Sequence, residues 1–140
     1  MLRRILIFLF LAFCAAPALA ASPLSITVDL SQQKMTVRMY GDVAYVWPVS
    51  TGRKGYRTPT GSYRPVRMYQ EYYSKRYDDA PMPYSIFYSG GFAIHGTPHI
   101  KSLGKPASHG CVRLHPENAA LLFELVQEFG RGNTSIRIKS

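Results

Sequence analysis

Ile94-His95-Gly96-Thr97 and, downstream, Ser108-His109-Gly110-Cys111-Val112-Arg113-Leu114 hold two histidines and the only cysteine outside the N-terminal apolar segment. A thiol is a useful nucleophile when a neighbour lowers its pKa or takes its proton, and an imidazole can do both. A glycine after each histidine lets backbone approach closely and frees amide N–H groups to face a site. Thiol, base, amide donors and an arginine therefore share one short window, the set of groups that acyl transfer through a thioester requires. The same window fixes the expected strands. Phe92 to Ile94 reads as a strand ending at His95, while Val112 and Leu114 return to strand character after Cys111. If those strands are neighbours, imidazole and thiol come within reach, with His95 taking the thiol proton and returning it to a leaving amine. His109 is the rival base, and a strand-end position favours His95. A backbone carbonyl, that of Gly96, is the candidate for orienting the imidazole, since no carboxylate stands near it in sequence.

Working outward, Tyr84 to Tyr88 pairs with the His95 strand through the turn Ser89-Gly90-Gly91. Strand-like alternation begins at Ser25 and resumes over Lys34 to Tyr40, with Met35, Val37 and Met39 on one face. Gly41-Asp42 turns the chain into Val43 to Val49, where Pro48 predicts an edge position or a bulge. The stretch from Ser50 to Gly61 is dense in turn formers and reads as a loop of fixed geometry. A strand is expected over Ser62 to Met68. Tyr69 to Pro83 carries Tyr69, Tyr72, Tyr73 and Tyr77 with neither a two-residue nor a 3.6-residue period, which predicts a lid or substrate wall. One helix follows, with Pro116 at its first position, an apolar stripe of Leu121, Leu122, Leu125, Val126 and Phe129, and Gly130 or Gly132 at its end. Thr134 to Lys139 is the last strand. The expected fold is mostly β, a β-sandwich-like arrangement of mixed sheets with one packed α-helix.

The chain has 140 residues, and its first twenty read as a secretory signal peptide. Arg3 and Arg4 make a basic start, Ile5 to Ala16 an apolar core too short for a good membrane span, and Ala18-Leu19-Ala20 a cleavage site. Cleavage there leaves residues 21–140 as one domain with no integral membrane segment. Lipid attachment at Cys14 is the alternative, disfavoured by Phe13 where such signals want a small residue. Removing Arg3 and Arg4 lowers the formal charge from +9 to +7, which favours encounter with acidic polymers. Export and the lack of a recognition helix argue against nucleic acid. Signal removal also leaves Cys111 as a single thiol in an oxidising compartment, which points to a free reactive group.

The runs Gly-Gly-Phe-Ala-Ile-His-Gly-Thr (90–97) and Ser-His-Gly-Cys-Val-Arg-Leu (108–114) resemble the L,D-transpeptidase catalytic domain, also called the YkuD domain. Ser-Thr-Gly-Arg-Lys-Gly-Tyr-Arg-Thr-Pro-Thr-Gly (50–61) is similar to that family's loop before the active site. The resemblance implies a β-sandwich-like fold, a cysteine nucleophile, and neither metal nor cofactor. It implies peptidoglycan stem peptides as substrates: the thiolate attacks the carbonyl of the third residue, terminal D-alanine leaves, and an amine resolves the thioester. That amine belongs to a second stem or to a wall-attached lipoprotein. Carried over by position, Cys111 is the nucleophile and His95 the base, with Gly96 supplying the orienting carbonyl. Ser108, His109 and Gly110 shape the site and its oxyanion donors, and Arg113 binds substrate or organises the site. A monomer in the periplasm or at the wall is expected. A cysteine hydrolase of wall peptides and a non-catalytic wall-binding module are the competing readings. His115 stands before Pro116 where such chains often carry a small helix cap.

Overall fold

The computed structural model describes residues 21–140, so the signal-peptide reading of residues 1–20, Cys14 included, lies outside the described residues. In chain order the elements are β1 (Leu24–Asp29), β2 (Lys34–Met39), β3 (Asp42–Pro48), β4 (Gly61–Tyr63), β5 (Arg67–Tyr69), β6 (Ser85–Ser89), β7 (Phe92–Gly96), β8 (Val112–Leu114), α1 (Pro116–Phe129) and β9 (Thr134–Lys139). They form a five-stranded sheet ordered β3-β2-β1-β9-β4 and a four-stranded sheet ordered β5-β6-β7-β8. Each is mixed: β1 runs parallel to β9 and β7 parallel to β8, and the other pairs are antiparallel. The fold is the mostly-β arrangement with one helix that the sequence predicts.

Period-two alternation decides what each strand buries. In the five-stranded sheet Leu24, Ile26, Val28, Met35, Val37, Ile136 and Ile138 point inward. The first turn is set by Asp29, whose Oδ1 accepts from Ser31 Oγ at 2.6 Å and from the Gln32 amide at 3.0 Å. Pro48 ends β3 at the sheet edge, where a missing N–H leaves no ladder bond unmade.

The strand expected over Ser62 to Met68 is two strands in different sheets. β4 pairs with β9, β5 pairs with β6, and Arg64-Pro65-Val66 carries the chain between them. Pro65 lacks the donor a continuous strand needs there. Val66 resumes pairing by donating its amide to Phe87 O at 2.8 Å.

Helix α1 starts on Pro116, and His115 caps it by accepting the Glu117 amide on Nδ1 at 3.2 Å. The histidine thus performs the job of the small cap residue it replaces. Ala119, Leu122, Phe123, Leu125 and Val126 are buried, joining both sheets in one core, while Leu121 and Phe129 are only partly covered. Gly130, at φ 93°, lets the chain leave the helix. The start of α1 lies against the end of β7 because Gly96 has no side chain. A Cβ there would stand 3.2 Å from Pro83 Cγ and 3.3 Å from Pro116 Cα.

Candidate active site

The four-stranded sheet separates core from chemistry by one-residue alternation. Parallel register pairs Ile94 with Val112 and His95 with Arg113. Ile86, Ile94, Val112 and Leu114 face the core. Phe87, Ala93, His95 and Arg113 therefore face the other way. Cys111, one residue before β8, continues that outer row and packs against the small apolar cluster of Met82, Phe87 and Ala93. His95 and Cys111 are consequently diagonal neighbours on one face, a spacing that side chains can bridge.

The turn before Cys111 is braced from within. Buried Ser108 donates its hydroxyl to Cys111 O at 2.6 Å and accepts the Gly110 amide at 3.0 Å. The Gly110 N–H, expected as an oxyanion donor, is thereby engaged by Ser108 Oγ. Gly110 sits at φ 120°, and a Cβ on it would fall 2.7 Å from Phe92 Cε1. Both conditions call for glycine.

The turn-rich loop of residues 50–61 holds this turn from outside. Ser50 and Arg113 exchange backbone bonds at 3.0 and 2.9 Å, so the loop acts as one more strand beside β8. Ala107 and Ser108 both donate to Thr51 O at 2.9 Å, and the Arg53 amide donates to Ser108 O at 3.0 Å. Thr58 Oγ1 accepts the Gly52 amide at 2.9 Å and donates to Gly110 O at 2.8 Å. Gln33 then clamps the far side: its Nε2 donates to Thr51 Oγ1 at 2.6 Å and its Oε1 accepts the Thr51 amide at 3.0 Å.

His95 is buried at the end of β7, with Nδ1 2.7 Å from Gly96 O. A carbonyl can only accept, so Nδ1 carries the proton and Nε2 the lone pair. Burial pushes its pKa down to about 4; the Gly96 bond opposes this and the Arg113 charge adds to it. The imidazole is thus neutral at pH 7 with a free basic nitrogen. Burial pushes the half-buried Cys111 thiol up, against a hydrogen bond from the Ala93 backbone and the charge of Arg113. In this rotamer Sγ makes a long 3.8 Å contact to Gly91 O. Thiol and imidazole both rest uncharged.

His109 is held differently. Its ring stacks on Tyr77, with centroids 4.1 Å apart and planes 10° apart, and meets the edge of Tyr56 at 5.0 Å. Contact with these rings and then the charges of Arg53, Arg113 and Arg76 hold it below the ordinary imidazole value. Through Tyr77 it ties the tyrosine-rich segment to the Cys111 turn. That segment is ordered by its own backbone bonds, among them Ser74 N to Ala80 O and Met82 N to Tyr72 O, at 2.9 and 2.8 Å.

Two cavities meet at the thiol. One, of about 380 Å³, is lined by His95, Thr97, His99, Tyr77, Cys111 and Arg113 among others. The other, of about 530 Å³, is lined by Cys111 with Tyr56, Arg57, Arg67, Lys75 and Phe87 among others, and does not include His95. His109, Tyr77 and Arg76 border both.

The L,D-transpeptidase catalytic domain matches residues 23–138, nearly all of what the structure describes. The chain belongs to the L,D-transpeptidase catalytic domain family. YkuD and YqjB of Bacillus subtilis (strain 168), both carrying a provisional L,D-transpeptidase name, are 26% and 27% identical over 108 and 114 residues. The matches take in 74% and 72% of this chain but 61% and 65% of those proteins, so the chain spans less than two thirds of its relatives' length. An L,D-transpeptidase from Stackebrandtia nassauensis superposes with a TM-score of 0.74 at 26% identity, covering 84% of this chain and 56% of that one. The L,D-transpeptidase LdtMt1, solved in complex with imipenem, gives 0.76 at 25% identity, covering 84% and 59%.

Within this L,D-transpeptidase domain, all seven residues singled out from the sequence lie on the Cys111 turn, in β8 or at the end of β7. The bracing residues Gln33, Thr51 and Thr58 were not among them, nor was Tyr56. Thr58 sits in a legible turn-rich loop, but its partner Gly110 lies 52 residues away. Gln33 gave no signal beyond a polar break. Its left-handed φ of 52° and its burial are tertiary facts. Among the described residues no group of three or more His, Cys, Asp or Glu could hold a metal ion. No helix among them is long and apolar enough to cross a membrane.

Proposed function

We propose that this protein is an exported peptidoglycan L,D-transpeptidase that works through a thioester on Cys111. The observation that carries the proposal is His95 on the same sheet face as the thiol, with Nδ1 2.7 Å from Gly96 O and Nε2 unspent on that carbonyl. This mechanism requires Sγ to turn from Gly91 O towards His95, by rotation about χ1. Nε2 then takes the thiol proton as sulfur attacks the carbonyl before the terminal D-alanine. The C–N bond breaks, the imidazolium returns the proton to the departing amine, and the stem remains as a thioester. An incoming amine attacks that thioester, gives its proton to His95, and releases the thiolate to be reprotonated. Because the Gly110 amide already donates to Ser108, the Cys111 amide is the backbone donor assigned to the tetrahedral oxyanion. Two cavities converging on one sulfur suit a reaction that joins two peptides.

Purified protein incubated with disaccharide-tetrapeptide and analysed by mass spectrometry tests this. Dimers that have lost one D-alanine are expected. Tripeptide alone would replace the transferase with a hydrolase. No product, together with no imipenem adduct on Cys111, would leave a wall-binding module.

A further inference from the structure

The cavity that reaches the thiol without reaching His95 differs in charge from its neighbour. Arg57, Arg67, Lys75 and Arg76 line it, and no aspartate or glutamate does. The His95 cavity, by contrast, includes Asp78. Nor are the four cations neutralised elsewhere: among the described residues the one ion pair joins Lys139 to Asp29, on the other sheet. Two of the four are already held on aromatic rings. The Arg67 guanidinium lies 4.3 Å from the Phe87 centroid and donates to Gly90 O at 3.2 Å, and that of Arg76 lies 5.6 Å from the Tyr77 centroid. A guanidinium fixed on a ring keeps its remaining N–H groups for an incoming oxyanion.

Proton transfer decides which part of a substrate goes where. The amine that leaves must take its proton from His95, and the amine that enters must give one to it. Both therefore occupy the cavity that contains His95. The acyl portion, joined to sulfur between those two steps, extends to the other side. We infer that the cavity walled by Arg57, Arg67, Lys75 and Arg76 binds the acyl-donor peptide through free carboxylates on the acyl side of the scissile bond. This inference rests on the thioester reading above and adds the ligand class and the residues that select it. The selected class is an acidic peptide: carboxylates there satisfy cations that have no carboxylate partner among the described residues, and amidated peptides do not. The side chains are solvent-exposed, so the preference weakens as salt rises.

The test compares a tetrapeptide bearing free acyl-side carboxylates with the same peptide amidated at those groups. Arg57→Gln/Lys75→Gln removes two charges that line this cavity and not the His95 cavity. Lys34→Gln/Arg137→Gln removes two from the other sheet and serves as the control for net charge. Titration of Cys111→Ala protein with each peptide reads binding without acylation, and intact mass of the Cys111 protein reads acylation. Binding of the carboxylate peptide about tenfold tighter than that of the amide, in the control but not in Arg57→Gln/Lys75→Gln, is expected at low salt. Equal binding of the two peptides, or equal weakening by both double substitutions, overturns the inference in favour of general electrostatic attraction. Carboxylate-selective binding without any acyl adduct would instead remove the thioester reading and leave the cationic site standing.

Discussion

The two faces of the four-stranded sheet are made from the same three strands and differ in almost every physical respect. The inner face, Ile86, Ile94, Val112 and Leu114, is dry and closed by α1 and the other sheet. The outer face, Phe87, Ala93, His95, Cys111 and Arg113, is roofed by loops and opens into two cavities. A shift of one residue in register would exchange them. Stability and chemistry are therefore separable here by parity along a strand, and substitutions on alternate residues should give different signatures.

The outer face gives the largest effect. Cys111→Ala removes the proposed nucleophile and should abolish both product formation and any adduct with imipenem, with the unfolding midpoint nearly unchanged because the thiol is only half-buried. Residual turnover above background would show that another group attacks. His95→Ala should follow, with acylation slowed about 10²- to 10⁴-fold as the proposed general base is lost. Retention of a native circular-dichroism spectrum would tie that loss to catalysis rather than to folding.

His95 also predicts two responses to acid. The proposed mechanism needs the neutral imidazole, and burial holds its pKa to about 4, so acylation should persist as pH falls through 6.5 and fail only near 4. Stability behaves differently. Between 6.5 and 4 the unfolded chain protonates this histidine and the folded chain does not, so the unfolded state binds more protons and stability falls with acidification. A stopped-assay rate profile and a denaturant series over that window check both. An acid limb centred near 6.5 would mean that the imidazole is not desolvated as it stands.

The inner face should answer in the opposite way. Leu114 is fully buried, and Leu114→Ala should cost about 2–5 kcal/mol of stability. The folded fraction should nevertheless acylate at close to the normal rate. Urea unfolding and single-turnover kinetics at a temperature where the variant is folded measure the two terms separately. A large rate loss in the folded fraction would show that the core row positions the thiol as well as supporting it.

Parity also explains which parts of the protein are legible in sequence. Strands announce themselves by local alternation, so β1, β2, β7 and β9 can be read from their residues, and Pro48 correctly marks an edge. The division of Ser62–Met68 into β4 and β5 was missed because Tyr63, Val66 and Met68 keep an apolar pattern across Pro65, and sheet membership is not a local property. Cys111 and His95 stand out through glycine-rich motifs. The Ser108 brace explains the serine, but its hydroxyl's role required the folded turn. Gln33 and Thr58 were invisible for the same reason: each acts on backbone brought to it from 18 or 52 residues away.

Thr58 gives the smallest predicted effect and the most direct test of whether the outer face depends on its surrounding loop. Its buried hydroxyl accepts from Gly52 N and donates to Gly110 O, linking the loop of residues 50–61 to the residue before Cys111. Thr58→Val keeps the shape and leaves both backbone groups without that partner, which should cost about 1–3 kcal/mol. Thr58→Ser restores the hydroxyl with one methyl fewer and should recover most of the loss. If the loop merely tethers the chain, the valine variant will lose stability with no change in acylation rate. If it sets the Cys111 turn, the rate will fall as well and recover in the serine variant. The second outcome is expected, because Gly110 at φ 120° has no other side-chain partner on its carbonyl among the described hydrogen bonds, and the position of the Cys111 amide follows directly from that residue.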